Sequence, residues 1–304
     1  MEKRNALMIP TLSGFTDVCR PTVSKTNSRA FLFNPQDSKY QLKEGRILRE
    51  GSALSVEELS QMAGEVTVNQ SIEENVLIYG VFSYLISRKR LALYSASDIG
   101  ITDISRFLGV TMGKTGFHLI EKLQALQTVY GVWADSGEVY PLLTVERVGT
   151  KLRLSSSYMH NVWKAMIAAS ADLNLGMPYY YTELAHADLV AERKKVAALI
   201  VIELVRLIVT AGSRRRPEIQ LSTLEKYVPQ LRVIRESRQA NKLKNRDLKR
   251  IFLMVYQLLE SKTELHRTFL DFSTNKFIPK VDQFHKNIVV SHRGYRPSHG
   301  GELT

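Results

Sequence analysis

Between residues 72 and 87 the mostly apolar positions Ile72, Val76, Tyr79, Ser83 and Ile86 recur at alternating steps of four and three. That spacing marks one face of an α-helix. Residues 101–111, Ile-Thr-Asp-Ile-Ser-Arg-Phe-Leu-Gly-Val-Thr, read as a short helix ended by Gly109, because glycine takes the left-handed conformation of a tight turn. A further helix is predicted over residues 114–127, with Leu119, Ile120, Leu123 and Leu126 on one face. Strand-like residues 128–133 and 138–143 flank a turn at Ala134-Asp-Ser-Gly137, and a β-branched stretch continues over 144–154. Residues 155–171 then read as a closing helix. Helix, short helix, glycine turn, helix and hairpin is the order of a winged helix-turn-helix.

The second half repeats that order more loosely. Residues 192–210 predict a long core helix, Arg214-Arg-Arg-Pro217 a loop, and 222–228 a short helix stopped by Pro229. After a basic connector, Asn245 reads as the N-cap of a helix over 246–261, whose core face would be Leu248, Ile251, Phe252, Val255 and Leu259. Residues 265–271 and 284–290 read as a hairpin around a polar turn at 273–275. Ahead of both halves, residues 1–50 read as an irregular arm with one or two strands. Ser55-Val-Glu-Glu opens a short capped helix over 55–62, and residues 64–68 read as a strand.

The expected architecture is therefore α+β and mostly α-helical, with two tandem winged helix-turn-helix domains carrying β-hairpin wings. Residues 1–71 form an arm with a short helix, 72–175 the first winged-helix domain, 183–292 a second, basic one, and 293–304 a flexible tail. The Leu173–Thr182 stretch, with Gly176 and Pro178, reads as the connector.

Charge narrows the class of partner. The chain carries 42 Lys and Arg against 30 Asp and Glu, a net +12. Residues 1–212 are nearly neutral, whereas residues 213–250 hold twelve basic and four acidic side chains, a net +8. A basic stretch of that density favours a polyanion, because phosphate contacts release counterions. The one cysteine, Cys19, excludes an internal disulfide and a multi-cysteine zinc finger. The strongest apolar run, 196–209, is broken by Glu203 and Arg206 and reads as a buried helix, not a membrane span. No secretory leader pattern opens the chain, so a cytoplasmic, nucleoid-associated location is expected.

On the predicted 114–127 helix, Lys114, His118 and Lys122 lie away from the apolar face, with Thr115 at its edge. These side chains can reach phosphates and bases. A purely architectural three-helix unit that touches only protein has the same pattern. On the second candidate recognition helix Arg246, Lys249 and Arg250 share a side, preceded by Lys242 and Lys244; Arg214, Arg215 and Arg216 and the Arg232, Arg235, Arg238 series lie nearby in sequence. Arginine pairs bidentately with guanine and lysine meets phosphate. A basic face that only keeps the helix soluble is the plainer alternative.

Enzymatic readings fail on spacing. Gly109 to Thr115 contains Gly113-Lys-Thr, but three residues separate its glycines where a phosphate loop needs four. The seven histidines form no pair spaced for a metal, and Tyr295 in His292-Arg-Gly-Tyr-Arg296 lacks a positioned base and orienting group. Tyr179–Tyr181 read as core and interface aromatics. No catalytic residue, metal or cofactor is expected.

The 101–111 turn, the 114–127 helix and the 245–261 helix, in tandem order over residues 72–290, resemble plasmid replication initiator proteins of the tandem winged-helix type. The resemblance implies binding to repeated origin sequences in double-stranded DNA, by a homodimer or a monomer–dimer equilibrium in which one winged helix also serves dimerisation. It implies recruitment of host replication proteins, and it makes the outward residues of the two recognition helices the readers. A winged-helix regulator or repressor would have the same helices. A nicking or recombination enzyme would in addition need strand cleavage.

Overall fold

The computed structural model of the chain describes residues 6–10, 30–37, 39–65, 72–88, 97–110, 116–133, 136–172, 179–185, 187, 195–211, 218–225, 228–260 and 278–289. It is mixed α+β with small antiparallel sheets, and it divides into two compact units, Leu12–Pro178 and a second made of Met1–Thr11 with Tyr179–Thr304. The N-terminal strand β1 (Ala6–Pro10) belongs to the second unit, where it pairs antiparallel with β11 (Tyr179–Ala185). Residues 179–182, expected in a connector, are therefore strand.

In the Leu12–Pro178 unit the arm holds more strands than its polar composition announced. β2 (Ala30–Phe33) is followed by a meander of β3 (Gln41–Lys43), β4 (Arg46–Arg49) and β5 (Ser52–Ala53). Its two tight turns place Glu44-Gly45 and Glu50-Gly51 at positive φ, the backbone that two-residue hairpin loops require. α1 (Val56–Glu65) starts with a reciprocal cap: the Ser55 amide donates to Glu58 Oε2 at 2.9 Å and the Glu58 amide to Ser55 Oγ at 3.2 Å. Gly64 and Glu65, expected in a strand, continue this helix.

The core of the unit is α2 (Ile72–Ser87), in which every side chain from Val76 to Ile86 is buried. A helix apolar on all sides has to be enclosed. α3 (Ile101–Leu108) is fixed to it through Tyr84, whose hydroxyl donates to Asp103 Oδ2 at 2.7 Å and whose ring meets Phe107 edge-on at 5.3 Å. Arg88 donates to the other Asp103 oxygen at 3.0 Å. Burial first, then the Asp103 carboxylate, pushes the Tyr84 phenol above its ordinary range. Gly109, at φ 69°, ends α3; its amide donates to Arg106 O and the Val110 amide to Ser105 O, satisfying two carbonyls of the last turn.

α4 (Gly116–Ala125) runs into a 3-10 turn at Leu126–Thr128 and buries Leu119, Ile120, Leu123 and Leu126. Two sheets follow. In one, β7 (Tyr130–Trp133) pairs with β8 (Val139–Pro141) and, on its other side, with β2 of the arm. In the other, β6 (Ser97–Gly100), which runs directly into α3, pairs antiparallel with β10 (Lys151–Ser155), and β10 with β9 (Thr144–Val148). The hairpin that shares a sheet with the strand before α3 is thus 144–155; the 128–143 hairpin, the first strand pair after the helices in sequence, belongs to the arm's sheet. α5 (Ser157–Asp172) closes the unit, its first turn capped by buried Ser156, whose Oγ accepts from the Met159 amide and donates to Leu142 O.

In the second unit α6 (Lys195–Ala211) is buried from Ala197 to Val205. β12 (Glu218–Gln220) pairs antiparallel with β13 (Asn287–Val289) and leads into α7 (Leu221–Leu224). Pro229 opens a helix where a stop was expected: α8 (Pro229–Glu236) carries it at the first position, where a missing amide costs nothing and its fixed φ suits the helix. α9 (Asn241–Glu260) starts four residues before the expected N-cap. Asn245 is in its second turn, and its Oδ1 accepts from the Val281 amide at 2.9 Å, which ties the 3-10 turn Val281–Gln283 to the helix. The sequence placed Asn245 at a helix start because a short polar side chain often caps; here it serves a segment 36 residues away. The 265–275 part of the expected hairpin and the 293–304 tail lie outside the described residues.

Candidate nucleic-acid interface

α9 buries Leu248, Phe252, Val255, Tyr256, Leu258 and Leu259, with Ile251 half-buried. At about 100° per residue, Lys242, Arg246, Lys249, Arg250, Leu253 and Gln257 fall within an arc of about 100° on the other side, and all six are exposed. The arc runs about 22 Å along the axis. Between Lys242 and Gln257 no acid falls inside it, although Glu260, the last residue of the helix, comes round to the same arc; Asp247 sits beside the arc, half-exposed, 3.7 Å from the Arg246 guanidinium. Lys242 and Lys244 belong to the helix itself and not to a connector before it.

Lys244 has a different job from its neighbours. It is half-buried, and its Nζ donates to Arg235 O at 2.9 Å, on one of the carbonyls left over at the end of α8. The α8 arginines are also engaged. Arg235 pairs with Glu225 and with Glu236 at 3.2 Å, and Arg232 with Glu236 at 3.1 Å. The Glu225 hydrogen bond, foremost, raises the Arg235 pKa further. Arg238 is exposed. Arg214, Arg215 and Arg216 lie outside the described residues.

In the first unit His118 and Lys122 are exposed on α4, opposite its buried leucines; Lys114 and Thr115 lie outside the described residues. Between them Glu121 is exposed too, with Oε2 3.2 Å from His118 Nδ1. This face therefore mixes signs, unlike that of α9. The β9–β10 hairpin adds cations that the sequence reading missed. Arg147 and Lys151 flank its turn at Gly149 and Thr150, both exposed, and Arg147 Nε donates to Gly149 O at 3.2 Å. The signal was present in Arg147-Val-Gly-Thr-Lys151, a glycine turn between two basic residues, but a β-branched stretch without a marked turn hid it. Behind the tip, Arg153 bridges its register partners, Asp98 at 3.0 Å on β6 and Glu146 at 3.4 Å on β9. The Asp98 hydrogen bond first, then its charge and that of Glu146, raise the Arg153 pKa further. That charge ladder crosses all three strands at paired register positions and adds modestly to their backbone hydrogen bonds.

Among the described residues no group of three His, Cys, Asp or Glu side chains could hold a metal, and no helix is long and apolar enough to cross a membrane. The described residues offer a positively charged helix face on α9 and two exposed cations at the tip of the β9–β10 hairpin. No protein family, curated protein or solved structure matches this chain.

Proposed function

We propose that this chain binds double-stranded DNA through two winged-helix units and acts at the replication origin of a plasmid or similar element. The observation that carries the DNA reading is the α9 face, where Lys242, Arg246, Lys249 and Arg250 are exposed in one arc with no acid on it between Lys242 and Gln257. A convex helix face of that kind enters a major groove about 12 Å wide without unpacking its core side. In support of the winged-helix reading, the two units share a coarse order of helix, strand, helices and a last strand antiparallel to that first strand, although the first inserts the β7–β8 pair before its hairpin and the second has two helices where the first has α3. The first has α2, β6, α3, α4 and the β9–β10 hairpin, with β6 antiparallel to β10; the second has α6, β12, the α7–α8 pair, α9 and β13, with β12 antiparallel to β13. On this reading the β9–β10 hairpin would be the wing of the first unit, and Arg147 and Lys151, exposed at its tip, would meet the backbone beside the groove. The origin-binding role rests on the resemblance in element order.

Two experiments test the two levels. Site selection on randomised duplexes, with the parent chain and Arg246→Ala, should return a motif that loses preference at one base position, with a cost of roughly 1–3 kcal/mol. Unchanged motif and affinity would remove α9 as the reader. Replication of a marker carrying the DNA that flanks the gene, in a host lacking the element, tests the origin role. Sequence-specific binding without replication would leave the regulator reading in its place.

A further inference from the structure

The second unit contains a cleft that shares only Arg250 with the DNA-binding face proposed above. It lies between the start of α6, α8 and the middle of α9, and encloses about 300 Å³. Val196 and Ala197 of α6, Ile234 of α8 and Ile251 and Met254 of α9 make its apolar walls. Small-molecule sites occupy about 300–1,000 Å³, so this one fits a compact ligand. Its polar lining consists of Gln230, Asp247 and Arg250.

Asp247 and Arg250 stand three residues apart on one helix with opposite charges. That spacing ordinarily brings a carboxylate and a guanidinium together. Among the described residues, however, Asp247 makes no ion pair with Arg250, and its contact with Arg246 is a long, exposed 3.7 Å. Exposed pairs of that kind are worth little. Both charges therefore line an apolar cleft while remaining available to a third party.

We propose that this cleft binds a small zwitterionic amphiphile, of which a free α-amino acid with a large apolar side chain is the simplest form. The carboxylate would take the Arg250 guanidinium, whose planar fork matches two carboxylate oxygens. The ammonium would take Asp247, and the Gln230 carboxamide can donate or accept beside them. The apolar side chain replaces water against Ile234, Ile251 and Met254. A simple carboxylate would face Asp247 unpaired, and a simple amine would face Arg250; each loses a charge-assisted contact that the zwitterion keeps. Binding of this ligand is a property of the second unit alone and does not depend on the DNA reading.

The test is saturation-transfer NMR and calorimetry on the full chain without DNA. The probes are L-phenylalanine, L-leucine, 3-phenylpropanoate, phenethylamine and glycine. Phenylalanine or leucine should saturate below about 10 mM, and the three truncated probes should bind about tenfold or more weakly. Arg250→Gln and Asp247→Asn, at positions that leave the apolar core untouched, should each weaken binding by about tenfold. Met254→Trp should block it by filling the apolar end while leaving both charges. No saturation by either amino acid, equal binding of 3-phenylpropanoate or phenethylamine, or variants that bind like the parent would each overturn the proposal. Because DNA is absent, none of these results bears on α9 as a DNA reader.

Discussion

Gly131 is the position where one methyl group should do the most damage. It sits in the middle of β7 with the Tyr158 ring of α5 pressed on its backbone. A Cβ built there would lie 1.9 Å from Tyr158 Cδ2 and 2.2 Å from Cε2 and Cγ, where carbon atoms need about 3.5–4.0 Å. The ring cannot swing away into solvent. Tyr158 is 1% exposed, Trp133 lies 6.3 Å off on its flank, and the Ser156 cap holds the helix turn that carries it. Something must move by about 1.5 Å, so strand or helix has to shift as a body. Overpacking typically costs 1–3 kcal/mol, and with a clash this deep Gly131→Ala should reach about 3 kcal/mol or more. For a unit of this size that is about 6–12 °C in Tm. Urea and thermal melts of the full chain, followed by far-UV circular dichroism and by tryptophan fluorescence, would measure it. Tyr158→Ala alone should cost about 3–5 kcal/mol through its cavity, yet in that background Gly131→Ala should be nearly neutral, a coupling of about 2–3 kcal/mol. A Gly131→Ala protein within about 2 °C of the parent, or two substitutions that simply add, would refute the close-approach argument.

Three further outcomes follow from the geometry. Lys244→Met should cost about 0.5–1 kcal/mol in a urea melt, by uncapping the α8 carbonyl at Arg235, and leave the salt dependence of DNA binding nearly unchanged, whereas Lys242→Ala or Lys249→Ala should lower its slope by about one with little loss of stability; the reverse pattern would put Lys244 on the phosphates instead. Gly109→Ala should cost about 1 kcal/mol, because φ 69° strains any L side chain, and Gly109→Asn should cost less; equal stability of all three proteins would contradict the left-handed turn. The Ser55 amide, foremost, holds the Glu58 carboxyl below 4.5, so the folded chain prefers its ionised form. The contribution of the cap is then complete above the unfolded-state value and fades as pH falls through the lower folded one, which hydrogen exchange at the start of α1 should report as the solution is acidified. Glu58→Gln should flatten that profile, and a parent profile already flat would argue against the cap.

What the sequence made legible was local, and what it hid was long-range. The 72–87 helix, the Gly109 turn, the Ser55 cap and the buried leucines of α4 all declare themselves within a few residues, through spacing or backbone demand. Asn245 did not, because the group it serves lies at Val281, and a short amide capable of capping looks the same whether it caps or cross-links. Pro229 was misread for a related reason. A proline both stops one helix and opens the next, and only packing of Leu231 and Ile234 into the core decides between them. The arm's β2 was legible as a strand, but its partner β7 lies a hundred residues on, so nothing nearby indicated that the 130–141 hairpin belonged to it. Of the candidate site, Arg246, Lys249 and Arg250 follow from helical period alone, whereas the place of Lys242 on the same helix, the Lys244 cap and the hairpin-tip pair Arg147 and Lys151 emerge only from the folded chain.

Counting cations in the sequence overstates what a polyanion would meet, and the correction has a direction. Of the twelve basic residues in 213–250, Arg232 and Arg235 are paired with Glu225 or Glu236 and Lys244 is turned onto a carbonyl. The engaged residues gather on α8 and at its junction with α9, so they stabilise the joint between the two helices. Among the described residues of that stretch the cations left outward are Arg238, between α8 and α9, and Lys242, Arg246, Lys249 and Arg250 on one face of α9. In the first unit the same logic runs the other way: Glu121 stands between His118 and Lys122 on α4, and its charge would sit against phosphate or, more favourably, accept from a cytosine amine. A helix whose centre carries an exposed acid gains little non-specific attraction and depends on a matching partner surface. On the proposed DNA reading the two units would divide along physical lines, with α9 holding the polyanion through charge and α4 discriminating among the surfaces presented to it.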